Sequence, residues 1–210
     1  ASGKYVTNRA GAEVYMHESN PRYGILSLAG FLGLRARHGM EVVGKAAVSV
    51  PAGEQYFVVS ARQGDLAGCK GKSLATNHGG DERFIDNVVS GGEFKLSEFT
   101  VAPTTRPVQT LKKVIAGEAE CALIDDAQLA ELGSVEGGGA VKTVWSSKKL
   151  PPMVVVAFPS APAAERKAFQ GNLSKVCEGE GRAICGEAGV KAMSPAGSAD
   201  YQAAIDAYGK

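Results

Sequence analysis

The chain has 210 residues with a formal net charge of +1, and 44% of them are hydrophobic. It is long enough to bury a core in one or two domains, while its balanced charge offers no basic field for nucleic acid. The longest apolar run, residues 24–34, is about half of the roughly 20 residues that a membrane span needs. No charged n-region precedes an apolar h-region, which predicts either a cytoplasmic chain or an exported one already processed.

The first 50 residues predict a short α/β segment. We expect a strand at residues 12–17, a strongly apolar helix at 24–37 and a strand at 41–50. This segment begins the first of two lobes.

Strands and helices then alternate regularly. Strands are predicted at 55–61, Ser73–Thr76, 99–102 and Cys121–Asp125, and helices at 82–89, from Pro107 to Ile115, and at 128–132. This order calls for a parallel sheet with right-handed crossovers. In such sheets ligands collect at the carboxyl ends of the strands.

A polar loop follows the strand Ser73–Thr76 and leads into the next helix. Its sequence, Thr-Asn-His-Gly-Gly-Asp over residues 76–81, offers backbone N–H groups and the positive end of a helix dipole, a combination that suits an anion. Thr76, Asn77 and His78 add side-chain donors. Asp81 at the helix start can act as the N-cap, and it would then compete with an anionic ligand.

Two other strand ends carry polar residues. Arg106, beside Thr105, is either an anion clamp or a solvated arginine before a helix, and both interpretations stay open. Of Asp125 and Asp126, one is expected to cap the following helix and the other, Asp125, to face a ligand.

The last third of the chain completes two lobes. Strands are predicted at 141–145 and 153–158, and helices at 163–176 and around 199–207. Residues 1–61 and 141–210 then form lobe 1 with the hinge strands, and residues 62–140 form lobe 2. The chain passes between the two lobes twice, and two such connecting segments predict a hinge.

The four cysteines allow two bridges. Cys177 and Cys185 flank a short Gly-rich segment, whereas Cys69 and Cys121 lie at the same end of two strands that would be neighbours in a parallel sheet. Four reduced, buried thiols are an equally good interpretation of the composition. Two disulfides would place the chain outside the cytoplasm.

Two other site classes fit poorly. The segment Gly-Cys-Lys-Gly-Lys-Ser resembles a nucleotide-binding P-loop, but Leu66 stands where that motif needs its first glycine. No Cys or His spacing is typical of a metal site, so no metal and no cofactor are expected.

Several motifs in order resemble one protein family. Residues 56–60 (Tyr-Phe-Val-Val-Ser), 65–76 (Asp-Leu-Ala-Gly-Cys-Lys-Gly-Lys-Ser-Leu-Ala-Thr), 116–125, 145–152 and 193–201 are similar to motifs of phosphate/phosphonate-type periplasmic binding proteins. These are the solute-binding components of ABC importers. The resemblance covers about residues 40–208 and implies a two-lobed α/β type II binding fold, each lobe a mixed, mostly parallel sheet flanked by helices.

The resemblance also implies a ligand site between the lobes. By position it would include Tyr56, the turn that holds Thr76, Asn77, His78, Gly79 and Gly80, then Thr105 and Arg106, and the carboxylate of Asp125. The family's Ser-Thr-Ser turn is replaced by residues 77–81 here. Lobe 1 is abbreviated by about one β-α unit.

The resulting expectation is a monomeric, non-enzymatic protein that binds a small phosphate- or phosphonate-like anion. Its partner would be the membrane permease of an ABC transporter, and its location periplasmic or extracellular, either lipid-anchored or secreted, with no signal peptide in this chain. Alternatives are a sensing domain of the same fold coupled to a receptor, or a small α/β hydrolase using His78 and Asp81.

Overall fold

The computed structural model describes residues 4–6, 8–50 and 52–210, and these divide into two compact units. Unit 1 comprises the described residues up to Ser49 together with Met153–Asp200, and unit 2 comprises those of Val50–Pro152 together with Tyr201–Lys210. The strands are β1 Tyr23–Leu26, β2 Glu41–Val48, β3 Tyr56–Ser60, β4 Ser73–Thr76, β5 Thr100–Pro103, β6 Cys121–Asp125, β7 Lys142–Ser146, β8 Met153–Ala157 and β9 Val190–Pro195.

The helical segments are of three kinds. The α-helices are α1 Arg9–Ser19, α2 Leu28–His38, α3 Leu66–Cys69, α4 Pro107–Ile115, α5 Asp126–Leu132, α6 Ala163–Asn172, α7 Gly181–Glu187 and α8 Gln202–Tyr208. A π-helix spans Phe84–Val89, and single 3₁₀ turns occur at Leu96–Glu98, Gly138–Ala140, Leu173–Lys175 and Ser198–Tyr201. Among the described residues, no helix has the length and apolar character that a membrane span requires.

Unit 1 is built on a four-stranded sheet in the order β1-β8-β2-β9, with antiparallel pairing between all neighbours. A mostly parallel sheet was expected for this lobe, and that expectation is wrong for the pairing. The strands β1 and β2 do run in the same direction and are joined by α2, as a crossover unit requires. However, β8 from the C-terminal part of the chain inserts between them and pairs with both.

The predicted strand at residues 12–17 is also wrong, because this segment lies within α1. The side chain of Asn8 caps the helix by accepting the Gly11 amide, at 2.8 Å. The Glu13 carboxylate pairs with Arg37 at 2.8 Å. No residue of α1 is buried, so its sequence lacks the wide apolar stripe that normally reveals a helix.

Unit 2 contains a five-stranded sheet in the order β5-β4-β6-β3-β7. The strand β4 is parallel to both β5 and β6, as predicted, and β3 and β7 extend the sheet in antiparallel fashion. Leu111 and Val114 of α4 are buried against one face of the sheet. The hinge strands β3 and β7, which were expected in lobe 1, belong to unit 2, because β3 pairs with both β6 and β7. The final helix was also expected in lobe 1 and belongs to unit 2, where its Tyr208 hydroxyl donates to Asp81.

Both disulfides form as the spacing suggested. Cys69 at the end of α3 is bonded to Cys121 at the start of β6, and Cys177 is bonded to Cys185 in α7. The described residues contain no free cysteine. The interpretation of the four cysteines as reduced core residues is therefore wrong.

Candidate functional site

The candidate site lies at one edge of the sheet in unit 2, where the parallel strands β4, β5 and β6 end. Thr76 at the end of β4 is in register with Pro103 of β5. Because β3 is antiparallel to β6, the first residue of β3, Tyr56, pairs with Asp125 at the end of β6. The sheet therefore brings residues that are far apart in sequence to a single edge.

Tyr56 lies with its ring in the core of unit 2 and only 5% of its surface exposed. Its ring has edge-to-face contacts with His78 and Phe84, with centroid distances of 5.2 Å and 5.9 Å. Burial raises the pKa of the Tyr56 phenol, and the charges of Asp125 and Asp126 raise it further. Among the described residues its hydroxyl has no hydrogen-bond partner, yet the atom is not sealed from solvent.

His78 lies in the loop after β4 and is held on one side of its ring. Its Nε2 atom is 2.8 Å from Oε1 of Gln128 and 3.8 Å from Oδ2 of Asp125. The Nδ1 atom makes no hydrogen bond within the described part of the chain, and it is not fully enclosed by protein atoms. The ring therefore has one satisfied nitrogen and one nitrogen that is available to a ligand.

Asn77 is oriented by a short chain of hydroxyl groups. The Thr110 hydroxyl donates to Asn77 Oδ1 at 3.1 Å, and it lies 2.5 Å from the Thr104 hydroxyl. Since each hydroxyl has one hydrogen, Thr104 donates to Thr110, which in turn donates to Asn77. The Asn77 amide oxygen is thereby occupied, and its two N–H donors are left for another partner.

Asp125 has two roles, helix capping and contact with the site, which were expected of two different residues. It is the N-cap of α5, because Oδ1 accepts from the Gln128 amide at 2.9 Å, and its Oδ2 is the atom nearest His78. The expectation that Asp126 would cap the helix is wrong. Asp126 instead accepts from the Gly53 amide at 2.7 Å.

The helix start after the loop is already capped by a carboxylate. Asp81 Oδ1 accepts from the Phe84 amide at 3.1 Å, and its Oδ2 accepts from the Tyr208 hydroxyl at 2.9 Å. Within the loop, the Thr76 hydroxyl accepts from the His78 amide at 3.0 Å. Asp81 thus occupies the helix start at which an anion would bind, as the sequence suggested. The side chains of Asn77 and His78 are therefore the better candidates for ligand contacts.

The remaining predicted residues lie at the periphery of this edge. Gly79 and Gly80 form the turn before the helix. Thr105 and Arg106 are exposed, and the Thr105 amide donates to Gln109 at 3.3 Å. For Arg106, no ion pair or side-chain hydrogen bond occurs within residues 4–6, 8–50 and 52–210, so its role as an anion clamp stays a prediction.

Sequence reasoning missed Gln128, Thr110 and Tyr208. Gln128 is 2% exposed and completes a capping box with Asp125, since its Oε1 accepts from the Asp125 amide at 3.2 Å. An acidic residue followed three positions later by Gln is the sequence signature of such a box. Thr110 and Tyr208 carry no comparable signal, because only the tertiary fold brings them to residues 77 and 81.

The described residues contain no group of three or more His, Cys, Asp or Glu side chains suited to a metal ion. The hydrolase alternative pairs His78 with Asp81. The observed hydrogen bonds join His78 to Gln128 and join Asp81 to Phe84 and Tyr208.

Solved structures share this fold, although no protein-family model and no curated protein sequence matches the chain. A Xanthomonas citri protein bound to chloride ion is similar with a TM-score of 0.74 at 9% identity, over 96% of this chain and 81% of that one. PhnD1 from Prochlorococcus marinus, in complex with methylphosphonate, gives a TM-score of 0.68 at 11% identity, with coverage of 97% and 83%. The periplasmic aliphatic sulphonate binding protein SsuA from Escherichia coli gives 0.57 at 14% identity, with coverage of 96% and 62%.

At these identities the similarity establishes the fold. The expected resemblance to periplasmic binding proteins is confirmed at that level, and the neighbours include a protein in complex with methylphosphonate and a periplasmic aliphatic sulphonate binding protein. The chain has the α/β fold of the type II periplasmic binding proteins of ABC transporters.

Proposed function

We propose that this chain is the extracytoplasmic solute-binding component of an ABC importer and that it binds a small oxyanion of the phosphonate or phosphate type. The ligand contacts are Asn77, His78 and Tyr56 at the strand-end edge of unit 2. Arg106 supplies a cation at the same edge. The protein performs no chemistry on its ligand, and the free energy of binding shifts its conformational population toward a form that a membrane permease recognises.

One observation carries the proposal. Three polar atoms at one edge of the sheet, Tyr56 Oη, Asn77 Nδ2 and His78 Nδ1, have no hydrogen-bond partner within the described residues and are accessible. By contrast, His78 Nε2 is hydrogen-bonded to Gln128, and Asn77 Oδ1 accepts from Thr110. Polar groups without a protein partner in half-buried surroundings are typical of a small-ligand site. Fold neighbours that bind methylphosphonate and aliphatic sulphonates support the choice of an oxyanion.

The two disulfides support an extracytoplasmic location, since such bonds persist in oxidising compartments. Of the fold neighbours, SsuA is a periplasmic aliphatic sulphonate binding protein and PhnD1 is in complex with methylphosphonate. Within the described residues, the His78 imidazole makes no hydrogen bond to a hydroxyl or thiol nucleophile, and its Nε2 is bonded to Gln128 instead. These points favour binding over hydrolysis.

Isothermal titration calorimetry tests the proposal. Phosphate, phosphite, methylphosphonate, 2-aminoethylphosphonate and methanesulfonate are titrated into the wild-type protein, and we expect saturable binding of at least one. Asn77→Asp replaces two donors with a negative charge, so it should weaken binding at least about tenfold. Asn172→Asp makes the same change on the exposed α6 of unit 1 and should leave the affinity unchanged. Absence of binding by every anion would refute the proposal.

A further inference from the structure

We infer that Gln128 is a positioning residue that sets ligand specificity by fixing the tautomer of His78, so that Nδ1 accepts a hydrogen bond. A site with an acceptor at this position selects oxyanions that carry a proton, such as phosphonates and hydrogen phosphates, over sulfonates and sulfate. The inference rests on the proposed function and names the feature that distinguishes between the two ligand classes of the fold neighbours.

The orientation of the Gln128 amide is determined by two partners. Its Nε2 lies 3.1 Å from the carbonyl oxygen of Pro107, a group that can only accept. Its Oε1 lies 3.2 Å from the amide of Asp125, a group that can only donate. Exchange of the amide oxygen and nitrogen would break both contacts, so Oε1 must face His78.

The orientation of Gln128 then sets the hydrogen on His78. The atom 2.8 Å from Oε1 is His78 Nε2, and because Oε1 accepts, Nε2 must carry the hydrogen. The Asp125 carboxylate at 3.8 Å favours the same arrangement. The phenol ring of Tyr56 also contacts the imidazole, in an edge-to-face arrangement. In the neutral imidazole the second nitrogen, Nδ1, therefore presents a lone pair to the ligand.

A lone pair at this position discriminates between oxyanions. A phosphonate monoanion has an O–H that donates to Nδ1, whereas a sulfonate is fully deprotonated at every physiological pH and directs only lone pairs at the imidazole. Two opposed acceptors leave both unsatisfied, which costs about 1–3 kcal/mol. That cost corresponds to a preference of about five- to 150-fold for the protonated ligand.

The first test measures the tautomer in the wild-type protein. Nitrogen-15 chemical shifts of the imidazole rings, recorded above pH 7, distinguish the two neutral forms, and the chain has only three histidines to assign. We expect His78 to be the Nε2–H tautomer. The opposite tautomer would overturn the inference, and this measurement does not depend on any variant.

The second test compares methylphosphonate with methanesulfonate by calorimetry at about pH 7. Near pH 7 methylphosphonate should bind about five- to 150-fold more tightly. Equal affinities near pH 7 would overturn the inference alone, whereas absence of binding by both ligands and by phosphate would overturn the proposed function together with it.

Gln128→Glu provides the matching variant. A carboxylate beside Nε2 favours the imidazolium, so the preference for methylphosphonate should fall at least about fivefold near pH 7 while methanesulfonate binding improves. Gln202→Glu adds the same charge on the exposed surface of α8 and should keep the wild-type preference. A folded Gln128→Glu protein with unchanged preference would contradict the role of Gln128.

Discussion

Burial and two nearby carboxylates favour the neutral form of the Tyr56 phenol. The ring lies in the core of unit 2, and both Asp125 and Asp126 oppose a negative charge on its oxygen. The pKa of Tyr56 is therefore higher in the folded protein than in the unfolded chain, where a tyrosine has a pKa of about 10. This difference links the position of a ligand-site residue to the stability of the fold.

The linkage predicts a loss of stability at alkaline pH. Below about pH 10 both states hold the proton, whereas above it the unfolded state loses its proton first, so folding stability falls as the pH rises. Tyr56 alone contributes a slope of up to about 1.4 kcal/mol per pH unit above that point. Tyr56→Phe should flatten the decline in urea-unfolding free energy between about pH 9 and about pH 11.

The control for this prediction is Tyr5→Phe. Tyr5 is 87% exposed, so its removal should leave the pH dependence of the unfolding free energy unchanged. Equal slopes for wild type and Tyr56→Phe would contradict the assignment of the alkaline loss to Tyr56.

Local patterns were enough to place several candidate residues together. Asn77, His78 and Asp125 were expected as ligand contacts from their positions at the carboxyl ends of strands, and Tyr56 from the family resemblance. The structure brings these four residues to one edge, and their contact with a ligand stays a prediction. The division of labour between Asp125 and Asp126 was not predictable, because either carboxylate satisfies the local rule for an N-cap. Only the position of the Gly53 amide decides it in the structure.

The element that organises the site is the parallel core of the sheet in unit 2. The Cys69–Cys121 disulfide joins the end of α3 to the start of β6, and its half-cystines are 52 positions apart. The Cys177–Cys185 disulfide closes a segment of only 8 positions in unit 1. In the chain-entropy account, a cross-link that closes a longer loop restricts the unfolded chain more strongly.

The two disulfides should therefore contribute unequally to stability. Replacing Cys69 and Cys121 together with alanine should cost about 4 kcal/mol of unfolding free energy, whereas the same change at Cys177 and Cys185 should cost about 2.5 kcal/mol. Urea unfolding of the two double variants provides the comparison. A larger loss for the Cys177 and Cys185 pair would contradict the entropic account.

Elements were predictable in proportion to their burial. The strands β4 and β6 match the predicted bounds, because both lie inside the sheet and consist of short apolar runs. By contrast, α1 was mistaken for a strand, since it has no buried face. The π-helix at Phe84–Val89 was predicted only as a helix, because the sequence pattern does not distinguish an i+5 from an i+4 hydrogen-bond ladder.

For the whole molecule, the division into two units provides a way to follow ligand binding. The only tryptophan of the chain, Trp145, lies in β7 of unit 2. Its indole nitrogen donates to Glu93 at 3.0 Å, and its ring contacts Phe94 with a centroid distance of 5.0 Å. Trp145 fluorescence therefore reports on the packing of the unit that carries the candidate site.

Ligand should stabilise this unit by mass action. At a methylphosphonate concentration of 100 times the Kd, the unfolding free energy followed by Trp145 fluorescence should rise by about 2.7 kcal/mol. Because Asn77→Asp should bind at least about tenfold more weakly, the increase at the same ligand concentration should fall to about 1.4 kcal/mol or less, whereas Asn172→Asp should retain the full increase. An increase of equal size in all three proteins would indicate binding at another place.

The hydrogen bond between the Tyr208 hydroxyl and Asp81 also constrains the order of folding. Unit 2 contains both residues, although 127 positions separate them along the chain. During synthesis, the loop that carries His78 leaves the ribosome long before its partner in α8 exists. At a synthesis rate of about 5–20 residues per second, several seconds pass before Tyr208 can anchor the helix start. The loop is thus expected to be among the last parts of the nascent chain to become ordered, and a fragment that ends before α8 would lack this anchor even with its sheet complete.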